Sequence, residues 1–128
     1  MTAENLWGKL PLTEKLRTPY GILREQGQIL QDMTEGLLIG RVVRDIDGNR
    51  FLLNLDIVAP SLNNYSYQII RAWHDLELYP ILVGTQETQK MIKCADEKEF
   101  IEVLKTALSS PKSRRIVSVL LAQIRGET

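Results

Sequence analysis

Residues 49–59 constrain the fold of this chain more than any other stretch. Phe51, Leu53, Leu55, Ile57 and Ala59 fall on one face of an extended backbone, and Arg50, Asn54 and Asp56 on the other, with Leu52 and Val58 the apolar exceptions. Alternation with period two marks a strand that has one face buried and one wet. Such a strand needs neighbours in a sheet and a cover for its apolar side. Leu37 to Ile46 reads as a preceding strand, with Asp47-Gly48-Asn49 as the tight turn between them, because Gly and Asn accept positive φ. Pro60-Ser61-Leu62-Asn63-Asn64 is a turn-rich connection to a third strand, Tyr65 to His74. On that strand Tyr65, Tyr67, Ile69 and Trp73 share a face, and Arg71 interrupts it. Tyr79 to Val83 is a short fourth strand, and Pro80 suggests an edge position. Gln89 to Ala95 alternates weakly, so the meander has four or five strands.

The cover comes from both sides of the meander. Thr18 as N-cap and Pro19 at the first helical position open a helix that ends before Gly36. Its stripe is Ile22, Leu23, Ile29, Leu30 and Met33. Gly21 and Gly27 each cost this helix up to about 1 kcal/mol relative to Ala, which points to close approach of another backbone, most simply the sheet. Asp96 with Glu99 forms a capping-box pattern before a second helix carrying Phe100, Ile101, Leu104, Ala107 and Leu108. Ser110-Pro111 opens a third, with Ile116, Val117, Leu120, Leu121 and Ile124 facing inward and Gly126 as the stop. Residues 1–17 are an irregular arm, broken by Gly8 and Pro11, whose Leu6, Trp7, Leu10, Leu12 and Leu16 are expected to lie on the body as a strap or against a partner.

Composition narrows the class of partner. Sixteen basic and sixteen acidic side chains cancel, which argues against a nucleic-acid binder and leaves little self-repulsion to oppose association. Cys94 is the single cysteine, so no internal disulfide can form, and a lone thiol fits a reducing compartment. No basic, then apolar leader is apparent, nor any apolar run long enough to span a bilayer. The expectation is a cytoplasmic protein with no membrane partner.

No catalytic, metal or phosphate motif stands out, and no cofactor is implied. His74 beside Asp75 has the makings of a general base, but one histidine is a poor metal site and adjacent strand residues diverge, so a structural or solvent-facing role is expected. Cys94 precedes a helix start, where a thiol can be activated, yet nothing in the sequence brings it to His74. Lys112, Arg114 and Arg115 crowd the first turn of the last helix, where the macrodipole disfavours cations. They are either a docking patch for an acidic partner or a cluster paired with Glu97, Glu99 or Glu102. Tyr65, Tyr67, Trp73 and Tyr79 gather on the third and fourth strands, as core or as the wall of a ligand cleft.

The expected fold is therefore one α+β domain over residues 1–128: an arm (1–17), a helix (18–35), an antiparallel β-meander (36–95) and a helical pair (96–126) packed on one face of the sheet. The leading functional expectation is a non-enzymatic interaction module that binds itself or another protein. The surface expected to do so comprises Tyr65, Tyr67, Trp73, Tyr79, Lys112, Arg114 and Arg115. The alternative is a small-ligand sensor with an aromatic pocket against the sheet, and a third is a hydrolase or transferase built around His74 and Asp75. Leu52 and Val58, with Leu38, Val42 and Ile46 on the first strand, suggest an apolar outer sheet face and a homodimer with the meander at or near its interface.

Overall fold

In the computed structural model, residues 3–11, 16–85, 88 and 90–126 are described. Helix α1 (Pro19–Met33) precedes strands β1 (Ile39–Asp47), β2 (Arg50–Ala59), β3 (Tyr65–His74), β4 (Ile81–Thr85) and β5 (Ile92–Cys94), and helices α2 (Glu97–Leu108) and α3 (Pro111–Arg125) close the chain. The strands form one antiparallel sheet in the order β1-β2-β3-β4-β5. This is the α+β arrangement of an N-terminal helix, a meander and two C-terminal helices. All three helices contribute to one core on one side of the sheet, with Leu53, Leu55 and Ile57 of β2 at its centre.

Capping chemistry sets the helix ends. Thr18 Oγ1 accepts from Gly21 N–H, Asp96 from Glu99 N–H and Ser110 Oγ from Ser113 N–H. The Glu99 carboxylate reaches back to Ala95 N–H, closing the box one residue outside the cap. At the end of α1, Glu35 and Gly36 both take positive φ, and Thr34 Oγ1 donates to Leu30 O while accepting from Leu38 N–H. Helix α1 lies directly on β1. A Cβ on Gly27 would sit 2.4 Å from the Gly40 carbonyl oxygen, so only glycine permits this approach. Gly21 has a different reason: its Cβ would meet Thr18 Oγ1 at 3.3 Å, so it leaves room for the cap and does not touch the sheet.

The register revises several expectations. Between Leu55 and Asp56 of β2 the pairing to β3 jumps from Ile70 to Gln68, leaving Ile69 as the extra residue of a β-bulge. Side chains that alternate before the bulge change parity after it. Tyr65, Tyr67 and Ile69 share the helix side with Ile70, Ala72 and His74, whereas Arg71 and Trp73 oppose Asn54 and Leu52 on the open side. The arginine that seemed to break an apolar face lies on the other face. Val42 and Ile46 oppose Leu55 and Phe51, and Leu38 is fully buried, so these three belong to the helix side, not the outer face. Residues 92–94 form the fifth strand, which makes β4 interior, with Pro80 outside it; the edges are β1 and β5. Among the described residues of the N-terminal arm, Leu6, Trp7, Leu10 and Leu16 do not strap the body: Leu6 and Trp7 are 85% and 81% exposed, and Leu10 and Leu16 are exposed too. Leu12 lies outside the described residues.

Candidate functional site

Two helices held at different places on one sheet leave a channel between them. The glycine contact draws α1 down over β1. Helix α3 is fixed by its corner with α2, where Ser113 Oγ donates to Ala107 O at 2.6 Å and Ser110 Oγ donates to Ser113 Oγ at 3.1 Å. Along its middle, Ile116 and Leu120 line a depression together with Leu62 and Tyr67. The result is a groove of about 430 Å³. Leu55 and Ile57 of β2 and Ile69 of β3 form its floor, Ile29, Leu30 and Met33 of α1 one wall, and Val117 and Leu121 of α3 the other. The bulge thus delivers one more apolar side chain to the floor than a regular strand would. Met33 is 78% exposed and Ile29 is 46% exposed at the lip. The polar residues of its lining are Gln26, Ser109, Ser113, Arg114 and Ser118, of which Ser113 is buried and Arg114 exposed.

The expected basic cluster is split by this geometry. Lys112, Arg114 and Arg115 are all exposed, but only Arg114 lines the groove. Among the described residues none of the three is ion-paired. Glu97 pairs with Arg17 at 3.6 Å, and Glu99 is occupied by the Ala95 amide. The acid-paired reading of the cluster is thereby corrected.

The four aromatics do not share a pocket. Tyr65 and Tyr67 flank a separate depression beside α3. Trp73 lies on the open sheet face under the Arg50 guanidinium, 4.3 Å from its ring. Tyr79 precedes β4, packs edge-on against Phe100, and buries a hydroxyl that has no hydrogen-bond partner. Burial, then the Glu97 carboxylate, pushes its pKa up to about 12.

His74 is buried and stacked on Phe51 at 5.4 Å. Its Nδ1 lies 2.6 Å from the Asp75 carbonyl oxygen, and because a carbonyl only accepts, Nδ1 carries the proton. The histidine is buried and does not face solvent. Cys94 is fully buried, and burial followed by the charges of Glu99 and Asp96 pushes its thiol above its ordinary value, opposite to activation. His74 and Cys94 both pair with Ile81, so they stand two strands apart, roughly 9–10 Å. Among the described residues no three His, Cys, Asp or Glu side chains are placed to share a metal ion, and no helix is long and apolar enough to cross a membrane.

The groove escapes a reading of strand and helix patterns one at a time, because it is made by the distance between two elements. The signal that pointed to it was Gly27, whose cost announced the close seat of α1. Compared with protein-family models, with curated proteins and with solved structures, the chain matches none.

Proposed function

We propose that this chain is a non-enzymatic, cytoplasmic interaction module that takes an apolar peptide segment into the groove between α1 and α3. The carrying observation is the groove itself: aliphatic floor and walls, with exposed Met33 and Ile29 at the lip. A segment presenting two or three apolar side chains buries them there, at roughly 25 cal/mol per Å² removed from water. Arg114 at the margin, flanked by Lys112 and Arg115, favours a segment with an acidic residue beside its apolar anchors. The raised thiol of Cys94 and the committed Nδ1 of His74 support the non-enzymatic reading, and the buried free thiol supports a reducing location.

A small-ligand sensor is the second reading, favoured by the groove's volume, which lies within the roughly 300–1,000 Å³ of ordinary ligand sites. Its ligand would be aliphatic, to match the lining.

Selection from a displayed peptide library tests the first reading. Sequences with paired apolar anchors and a nearby acid should be enriched. Met33→Asp, at an exposed position, should weaken them at least about tenfold, while Trp73→Ala on the opposite face should not. Recovery of no such peptide, or binding lost only with Trp73→Ala, would contradict it.

A further inference from the structure

We propose that the groove's occupant is the N-terminal arm of a second copy, so that two chains exchange arms reciprocally. The inference rests on the reading of the groove as a peptide seat. The arm has the chemistry that the groove selects. Asn5 Oδ1 accepts from Trp7 N–H at 2.9 Å, Asn5 Nδ2 donates to Gly8 O at 3.4 Å, and Gly8 takes φ +69°. This local turn presents Leu6 and Trp7 together to solvent, a costly display for an indole that buries roughly 150–250 Å² when seated.

Charge agrees with the apolar match. Glu4 stands two residues before Leu6, with Lys9 two residues after Trp7, and the groove's lining holds Arg114, which forms no ion pair among the described residues. Position agrees as well. The root of the arm is tied where Arg17 bridges Glu25 of α1 and Glu97 of α2, at 2.8 and 3.6 Å. The cleft at that root shares Gln26, Leu108 and Ser109 with the groove, so each arm leaves its chain beside the surface its partner would fill.

A single chain leaves its own Leu6 and Trp7 in solvent. Reciprocal exchange, by contrast, closes on a two-fold axis and counts each arm-in-groove contact twice. That doubling is how two short segments approach the roughly 1,000 Å² that a specific interface needs. The zero net charge leaves no long-range repulsion against the pairing.

Sedimentation of the full chain tests the exchange. The native chain should sediment at twice its 14.6 kDa. The arm variant Leu6→Ala/Trp7→Ala and the groove variant Met33→Asp should each sediment as monomers, their dissociation constants raised at least about tenfold. Mixed in equal amounts, the two should associate through the one arm and one groove left intact, more weakly than the native chain but measurably above either variant alone, which misfolding of either variant cannot produce. In a Trp73→Phe background, Trp7 emission should shift to the blue as dimer forms. A native monomer at every concentration, whether Trp7 is exposed or folded back on its own chain, would overturn the exchange. So would a dimer that survives the arm variant. Peptides selected by a groove that stays monomeric would leave the groove reading standing while the exchange falls; a native dimer with no peptide selection and no response to Met33→Asp would remove both.

Discussion

At the scale of single residues, the decisive contacts are those a side chain cannot relax away from. Gly27 and Gly40 meet backbone to backbone, with no flexible end to move. Gly27→Ala gains up to about 1 kcal/mol of helix propensity, but overpacking costs roughly 1–3 kcal/mol, so a net loss is expected as a lower urea midpoint. Gly21→Ala, which meets only the Thr18 hydroxyl, should change the midpoint much less. Tyr79 offers a pH test. Its folded pKa of about 12 exceeds the ordinary 10.0, so the stability this ring contributes is complete below pH 10.0 and is lost as pH rises through 12. Tyr79→Phe also deletes a buried hydroxyl without a partner. The variant should be as stable as the native chain or slightly more so near neutrality, and should decline less between pH 10.0 and 12 in chemical denaturation. Equal alkaline slopes would mean that Tyr79 ionises as freely in the folded chain as in the unfolded one. The sequence announced the glycine cost but not the tyrosine's burial, which depends on where Phe100 packs.

At the scale of elements, legibility followed locality. The caps at Thr18, Asp96 and Ser110 and the turn at Asp47-Gly48 depend on neighbours along the chain, and all four stand where the residues placed them. Gly48 adopts φ +61° with open space around its missing Cβ, so any penalty for replacing it is one of backbone conformation. Gly48→Val should cost about 1–2 kcal/mol or more, whereas Gly48→Asn should cost little, since Asn tolerates the left-handed region. Thermal unfolding of both variants checks this, and similar melting temperatures would contradict it. What failed to show was register across strands. The bulge at Ile69 shifts Arg71 and Trp73 to the open face, and no count along β3 alone reveals an extra residue defined by its partner strand. The interior position of β4 was hidden likewise, because β5 is short and its alternation faint.

At the scale of the whole molecule, helix cover is incomplete in a particular way. The far corner of the helix side leaves Ile46 61% exposed, and the Tyr20 ring there stacks under Arg44 at 4.1 Å. The open face is bridged by its own long side chains: Arg41 donates to Asp56 and to Ser66 across three strands, and Arg50 covers Trp73. With Leu38, Val42 and Ile46 turned to the helix side, the case for pairing through the open sheet weakens. The aliphatic groove and the exposed Leu6 and Trp7 become the stronger ground for association. The measurement that bears most directly on this is a map of amide chemical shifts in the isotopically labelled Leu6→Ala/Trp7→Ala chain, whose own arm leaves the groove free, as a peptide of native residues 3–10 is added. Shifts should concentrate at Ile29, Met33, Ile69, Val117 and Leu121. Shifts centred on Leu52, Trp73 and Leu82, or none at saturating peptide, would contradict the groove as the docking face.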